Sequence, residues 1–320
     1  VTADGADSAP ATVSVVVCAF TAQRAMLLRR CLDSVTAQLA SGDELIVVID
    51  HNEDLLAAVR ARLVGGPVRV IPNRQTRGLS GARNTGIAES SCDIVAFVDD
   101  DAQIGTGWLD RTRGSYRTAS VVGAGGFAQP SWPRSRPGWF PEEFDWVVGC
   151  SHRGTPTTPG PVRNLLGCNM SFRRTALQGA GGFSTGLGRV GALPMGCEET
   201  ELCIRLRRHS PGSQILFDPD LVVQHHVSPD RERLGYFVRR CWGEGRSKYL
   251  VSALVGSGDA LSAERTYVAR VLPAGVLRAL AGALRGPRRI EHLGRAAAIV
   301  LGLAVTTLGY GRAMLGGVPP

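Results

Sequence analysis

The segment Ile94–Asp101, which reads IVAFVDDD, constrains the fold of this chain more than any other stretch. A short apolar run rich in β-branched residues is typical of a strand that is buried on both faces of a sheet. Its three aspartates must then lie where the strand leaves the sheet. We therefore expect function at that edge.

The three adjacent carboxylates of this segment repel one another unless a positive charge neutralises them. A divalent cation is the obvious candidate, and hard oxygen ligands suit Mg2+ or Mn2+. In an extended segment Asp99 and Asp101 point to one side and Asp100 points to the other, so the outer pair can act together. For the motif taken alone, an acidic turn that closes a strand is the alternative.

The first hundred residues alternate predicted strands with predicted helices. Apolar runs predict strands, and amphipathic segments between them predict helices, with the strands at 13–18, 44–50, 68–71 and 94–101. This order predicts an α/β fold with a doubly wound, mainly parallel sheet, whose ligands bind beyond the carboxyl ends of the strands. Asp50 and the three aspartates both lie at such ends.

A glycine-rich stretch with two arginines, RQTRGLSGARNTG at 74–86, lies between these acidic strand ends. Glycines let the backbone approach a ligand closely, and N–H groups at the start of a helix favour a phosphate when guanidinium groups lie near. Arg77 and Arg83 could supply those groups. The stretch lacks the lysine of a P-loop, and a solvated turn is the alternative.

The composition of the chain indicates its partners and cellular compartment and says little about its chemistry. The chain has 320 residues and a formal charge of +8, which favours anionic partners such as phosphate groups, nucleic acid or an acidic membrane surface. Its eight cysteines form no CxxC pair and no zinc-finger spacing, which predicts reduced, buried thiols of a cytosolic protein. The polar N-terminus lacks the plan of a signal peptide, and we expect a flexible tail over residues 1–12.

Several motifs occur in an order that resembles a known family. VSVVVCAF, ELIVVIDHNED, RGLSGARNTG and IVAFVDDD are followed by NLLGCNMSFRR, CEETELCIRLRR and VVQHHV. Over roughly Val13–Lys248 the chain resembles the GT-A-fold glycosyltransferases of family 2. The resemblance implies an inverting enzyme that moves a sugar from a nucleotide-diphosphate sugar, with UDP favoured, to a hydroxyl of a glycan, glycolipid or polyprenyl-linked acceptor. Mn2+ or Mg2+ is the expected cofactor, and no nucleic-acid partner is expected.

The resemblance also implies roles for individual residues. Asp50 matches the residue that reads the nucleobase, and the expected nucleotide-sugar ligands are Ala19, Asp50, Arg77, Gly78, Arg83, Asp99 and Asp100. Asp99 and Asp101 match the outer members of the DxD motif, and His225 fits the position of a metal-binding histidine better than His226.

The acidic motif Glu198–Glu201 matches the position of the catalytic base. Glu199 stands where the family places the base, which takes a proton from the acceptor hydroxyl, and Glu198 is the second candidate. In either case these acids suit the N-terminus of a helix, so a capping role alone is the alternative.

We expect a catalytic domain at 13–228, with a nucleotide-sugar half at 13–127 and an acceptor half at 128–228, followed by a helical region at 229–320. In the helical region, Ala296–Tyr310 is an apolar run of 15 residues, shorter than the roughly 20 that span a bilayer. Nearby arginines would suit peripheral contact with an anionic membrane, namely Arg285, Arg288, Arg289 and Arg295. A helical hairpin packed on the catalytic domain is favoured. The expected localisation is cytoplasmic, or at the cytoplasmic face of the membrane.

Three other classes of protein remain as alternatives. A non-catalytic nucleotide-sugar scaffold would keep Asp50 and the aspartates but would not need Glu199. A sugar-phosphate nucleotidylyltransferase would need a lysine-bearing glycine loop after the first strand, where this chain has CAFTAQRAM. A dinucleotide-binding enzyme is the weakest alternative, because GAGGF at 123–127 lacks the full fingerprint.

Overall fold

A mixed sheet forms the centre of the protein in the computed structural model, which describes residues 11–63, 68–188, 196–256, 258 and 262–316. Its strands are β1 (Val13–Ala19), β2 (Glu44–Ile49), β3 (Val68–Pro72), β4 (Ile94–Asp99), β5 (Ala102–Ile104), β6 (Val121–Ser131), β7 (Gly160–Pro161), β8 (Asn169–Arg173) and β9 (Gln214–His226). Their order is β3-β2-β1-β4-β8-β6-β9-β5, with β7 beside β9. The first four strands in this order are parallel, whereas β8 runs antiparallel to both β4 and β6.

Helices cover the sheet and then form the C-terminal region. They are α1 (Ala25–Thr36), α2 (Glu53–Arg62), α3 (Leu79–Glu89), α4 (Trp108–Ser115), α5 (Arg174–Gly179), α6 (Glu198–His209), α7 (Leu234–Val255), α8 (Ser262–Thr266), α9 (Leu272–Arg285) and α10 (Arg289–Gly316). A π-helical turn over Tyr267–Val271 joins α8 to α9.

The predicted α/β fold class with a mainly parallel, doubly wound sheet is confirmed. The four predicted strands are β1 to β4, and the apolar residues of β1, β2 and β4 are buried because helices pack on both faces of the sheet. The predicted tail falls mostly on residues 1–10, which lie outside the described residues. Thr12, its last residue, hydrogen-bonds to Asp93 through both its backbone N–H and its hydroxyl.

Strand β6 was not predicted, because its first half is VVGAGGF and carries little of a strand's apolar signal. The glycines are required by close packing on β8. A Cβ on Gly123 would lie 2.7 Å from a ring carbon of Phe172, and one on Gly125 would lie 2.4 Å from the carbonyl oxygen of Asn169. The backbone of β6 therefore lies directly against β8, and no side chains separate the two strands at these glycines.

The tryptophan-rich segment after β6 packs against the C-terminal region. Trp139, Phe140 and Phe144 all lie with ring centroids 5.2–5.6 Å from that of Phe237 in α7. These rings belong to a buried cluster that also includes Ile299 of α10. The aromatic side chains thus join the segment after β6 to the C-terminal helices.

The C-terminal region contains the expected helical hairpin, made of α9 and α10, and it packs on α7. Its second helix is longer than the apolar run suggested, because α10 extends that run at both ends to 28 residues. Glu264–Arg285 and Arg289–Gly316 are both long and apolar enough to cross a membrane by length and composition.

Candidate metal and nucleotide-sugar site

Asp50, which follows β2, is held by the loop that opens α3. Its Oδ1 accepts a hydrogen bond from Nδ2 of Asn73 at 2.7 Å, and its Oδ2 accepts one from the backbone N–H of Gly78 at 2.9 Å. Gly78 has φ +124°, a conformation that favours glycine. Asp50 and Gly78, which are both predicted nucleotide-sugar ligands, are therefore hydrogen-bonded to each other. Arg77 beside them is exposed.

Ala19 lies at the same edge, at the carboxyl end of β1. Its carbonyl oxygen accepts the backbone N–H of Asp50 at 2.8 Å, and the residue itself is buried. Ala19 therefore contributes through its backbone, which holds the segment that carries Asp50.

Three predicted metal ligands converge although His225 lies more than a hundred residues from the aspartates. One ligand atom from each of Asp99, Asp101 and His225 lies within 4.8 Å of the others, so these residues could hold a metal ion. Antiparallel pairing of β5 with β9 places Ala102 opposite His225 and so brings the histidine beside the acidic turn. Two carboxylates and an imidazole suit Mn2+.

Asp99 and Asp101 converge through a turn and not, as predicted, through an extended segment. Strand β4 ends at Asp99, and the next two residues form the turn. Asp101 is turned towards His225, with Oδ1 3.2 Å from Nε2. His226 contributes its backbone instead, donating its N–H to the carbonyl oxygen of Asp101 at 2.8 Å.

Asp101 and His225 shift each other's pKa in opposite directions. Burial lowers the pKa of His225, but the charge of Asp101 outweighs this and raises the pKa to about 10. Burial would raise the pKa of Asp101, yet His225, Arg231 and Arg24 together hold it well below its usual range. On the far side of the ring, Nδ1 of His225 lies 3.6 Å from Sγ of Cys150. A buried carboxylate that stays ionised is suited to a cation. His225 must release its proton to bind a metal, because only the neutral imidazole is a ligand.

Arg24 belongs to this site, and no sequence motif pointed to it. Its Nη1 lies 2.8 Å from Oδ1 of Asp100 and 3.1 Å from Oδ2 of Asp101. Burial and the charge of Asp101 raise the pKa of Asp100 to about 7, against the opposing effect of Arg24. Asp100 is buried, and its Oδ2 has no hydrogen-bond partner among the described residues. Its predicted contact with the donor sugar stays a prediction.

Arg83 links the aspartates to the acidic helix α6. It is 2% exposed, and its Nη1 donates to Oε1 of Glu198 at 2.8 Å. Its Nη2 lies 3.3 Å from Oδ1 of Asp99 and donates to the carbonyl oxygen of Gly167 at 3.0 Å. Both terminal nitrogens are thus occupied by protein groups, so Arg83 acts on the site chiefly by positioning other residues.

Glu198 and Glu199 open α6 with different surroundings. Glu198 is buried and salt-bridged, whereas Glu199 is half-buried and forms no side-chain hydrogen bond or ion pair with another described residue. Burial and the charge of Glu198 raise the pKa of Glu199 to about 8. A carboxylate with a raised pKa and no fixed partner is well suited to accept a proton near neutral pH.

Helix α7 holds the start of α6 in place. Gly196 donates its N–H to the hydroxyl of Ser247 at 3.2 Å, and Sγ of Cys197 lies 3.3 Å from Oε1 of Glu244. Glu244 in turn pairs with Arg240 at 2.8 Å and Lys248 at 3.4 Å. The C-terminal region therefore helps to position the acidic motif.

The fold and this site define a GT-A-like protein, in which the parallel strands end at an acidic cluster that could hold a metal. Residues 14–180 match the family model described as Glycosyl transferase family 2. The chain is 32% identical over 244 residues to the glucosyl-dolichyl phosphate glucuronosyltransferase of Haloferax volcanii, covering 76% of this chain and 78% of that protein. The chain belongs to glycosyl transferase family 2 and is an enzyme.

Solved structures support the same fold. The mannosyltransferase PcManGT from Pyrobaculum calidifontis, in complex with GDP-Man and Mn2+, is similar with a TM-score of 0.59 and 19% identity, over 94% of this chain and 88% of that one. GalNAc-T7 with UDP, GalNAc and Mn2+ is similar with a TM-score of 0.53 and 15% identity, over 83% of this chain and 57% of that one.

Proposed function

We propose that the protein is an inverting, metal-dependent glycosyltransferase that moves a sugar from a nucleotide-diphosphate sugar to the hydroxyl of a lipid-linked saccharide. The observation that carries this proposal is the convergence of Asp99, Asp101 and His225 beside the Arg83–Glu198 pair, at the carboxyl edge of the parallel strands. Ligands of doubly wound sheets bind at that edge.

The donor is held by the first half of the chain. Asp50, which the Gly78 N–H positions, accepts a hydrogen bond from the nucleobase, and exposed Arg77 at the start of α3 is available to the diphosphate. Asp99, Asp101 and neutral His225 would hold Mn2+ or Mg2+. When bound, the ion supplies positive charge that stabilises the diphosphate leaving group. UDP is the favoured nucleotide, and two similar structures carry GDP-Man or UDP.

Glu199 is the general base of the proposed reaction. Its carboxylate takes the proton from the acceptor hydroxyl as the hydroxyl oxygen attacks the anomeric carbon from the face opposite the leaving group. Direct attack of this kind inverts the anomeric centre. Glu198, held by Arg83, keeps a negative charge beside Glu199 and so raises its proton affinity.

The lipid-linked acceptor is inferred from the Haloferax volcanii relative, whose name specifies glucosyl-dolichyl phosphate. The apolar C-terminal helices offer a surface to such a lipid. We place the reaction at the cytoplasmic face of a membrane, consistent with cysteines that are all free in the structure.

Calorimetric binding of UDP, GDP and dTDP, with and without Mn2+, tests the donor site. We expect Mn2+-dependent binding of one nucleotide, and at least a tenfold loss of affinity in Asp101→Asn. Asp110→Asn is the matched control, because Asp110 has an 88% exposed side chain on α4. A folded protein that binds none of the three nucleotides would contradict the proposal.

A transfer assay tests the chemistry separately. The nucleotide that binds identifies which nucleotide sugars to supply, and extracted polyprenyl-phosphate saccharides serve as acceptors. Glu199→Gln should bind the nucleotide as the wild type does but lose transfer by 100-fold or more. Unchanged transfer by this variant would exclude Glu199 as the base.

A further inference from the structure

Helix α10 carries an exposed apolar stripe along its whole length. Ile290, Val300, Leu308 and Leu315 are large, apolar and 60–86% exposed, and their spacing of seven to ten residues places them on one face of the helix. A stripe of this extent on a water-soluble surface is unusual and indicates an interaction surface.

Helix α9 extends this surface, and the turn between the helices is basic. Leu277 and Leu284 are 68% and 83% exposed on α9. Arg285, Arg288 and Arg289 flank the turn and are all exposed. The hairpin tip therefore combines two of the most exposed apolar side chains, Leu284 and Ile290, with three positive charges.

The opposite face of α10 is packed tightly against α7 and against the tryptophan-rich segment after β6. A Cβ on Gly309 would lie 2.4 Å from the carbonyl oxygen of Trp242, and a Cβ on Gly302 would lie 2.4 Å from a ring carbon of Phe144. Near the other end of the helix, a Cβ on Gly294 would lie 3.1 Å from the Cβ of Trp139. These close contacts are spread over most of the helix, so α10 lies along the domain rather than projecting from it.

The packing of α10 favours a helix that lies on a membrane over one that crosses it. A helix of 28 residues is about 42 Å long, enough to span a bilayer. However, α10 packs along α7, which carries Arg240, Glu244 and Lys248 in ion pairs. Crossing would draw these charges into the hydrocarbon or separate the two helices, and both are costly.

We propose that α9 and α10 form a monotopic anchor that lies in the plane of a membrane containing anionic phospholipid. The exposed stripe enters the acyl region, while Arg285, Arg288 and Arg289 bind lipid phosphates. The occupant of this surface is the bilayer, because exposed apolar side chains and exposed arginines lie next to each other at one tip. The apolar side chains match the acyl region of a lipid surface, and the arginines match its phosphates.

The anchor also contacts the segment that leads to the metal ligands. Arg278 of α9 pairs with Glu143 at 2.5 Å, and the same segment continues to Cys150, which touches His225. This segment therefore links the hairpin to the candidate metal site. The binding measurements below use no substrate, so their result is independent of the proposed function.

Vesicle flotation of the full chain tests the anchor. We expect binding to vesicles of phosphatidylcholine with 30% phosphatidylglycerol, and at least tenfold weaker binding to phosphatidylcholine alone. Leu284→Glu and Ile290→Glu should each weaken binding at least tenfold. Met26→Glu is the matched control, because Met26 is 65% exposed on α1 and should have no role in binding.

Charge is tested with matched triple variants. Replacing Arg285, Arg288 and Arg289 with Gln should weaken binding to the anionic vesicles at least tenfold. The control replaces Arg29, Arg30 and Arg62, which are exposed on α1 and α2, and removes the same net charge. Equal losses in the two triple variants would overturn the assigned role of the tip.

Orientation is tested with Pro287→Cys in the exposed hairpin turn. In a monotopic anchor, a membrane-impermeant maleimide added outside intact vesicles labels this cysteine, and the same reagent enclosed in the vesicles does not. Labelling by the enclosed reagent alone would place the turn across the bilayer and overturn the proposal. Absence of vesicle binding, with a dimer in solution that Leu284→Glu dissociates, would instead assign the surface to a second copy.

Discussion

Arg83 and Glu198 form a buried salt bridge of 2.8 Å that joins the end of the parallel sheet to the acidic helix. The same guanidinium lies 3.3 Å from Asp99, one of the three candidate metal ligands. Its Cζ atom lies 5.3 Å from the ring centroid of Phe183, which limits its freedom further. One side chain thus sets the distance between the groups proposed to hold the leaving diphosphate and the groups proposed to activate the acceptor.

Replacing Arg83 with Gln leaves the carboxylate of Glu198 buried without its cation. We expect the free energy of unfolding to fall by about 3–5 kcal/mol at neutral pH, because an uncompensated buried charge is costly. Urea denaturation measures this loss. In Arg83→Gln/Glu198→Gln the charge is gone, so the double variant should recover part of the stability. If Arg83→Gln costs the same with and without Glu198, the salt bridge does not hold the two elements together.

Local sequence was enough to predict the first four strands, because β1, β2 and β4 are apolar runs buried on both faces. Contacts between distant segments were not predictable in the same way. Arg24 reaches the aspartates from 76 positions away, and the glycines of β6 reflect contact with β8 rather than any local preference. The prediction that His225 lies near the aspartates came from the family resemblance, because the spacing of these residues in the chain does not indicate it.

His225 and His226 give a matched pair for testing the metal site. His225→Ala removes a ligand atom and should weaken Mn2+ binding at least tenfold, as measured by electron paramagnetic resonance of free Mn2+. His226→Ala should leave binding within about twofold, because His226 contacts Asp101 through its backbone N–H. Equal effects of the two substitutions would argue against imidazole ligation by His225.

The raised pKa of Glu199 predicts how transfer and stability depend on pH. A base must be ionised to act, so kcat/KM should rise as the pH passes through about 8 and then level off. The folded pKa lies above the unfolded value, so the stability gained from the neutral acid is present at low pH and is lost as the pH rises through about 8. Glu199→Gln should therefore gain stability relative to the wild type as the pH rises from the ordinary pKa of Glu at 4.5 to about 8, and the difference should stay constant above that, as measured by thermal unfolding.

Two glycines test whether α10 packs on α7 as closely as the structure shows. A Cβ on Gly245 would lie 2.0 Å from the carbonyl oxygen of Thr306, so Gly245→Ala must push the helices apart and should cost about 1–3 kcal/mol of unfolding free energy. Gly311 lies in the same helix pair, but a Cβ there would meet nothing within 4 Å. Gly311→Ala should therefore stabilise the protein by about 0.5–1 kcal/mol, since alanine restricts the unfolded chain and favours helix. Urea denaturation of both variants in the same buffer measures the difference, and a harmless Gly245→Ala would show that α10 can leave the domain.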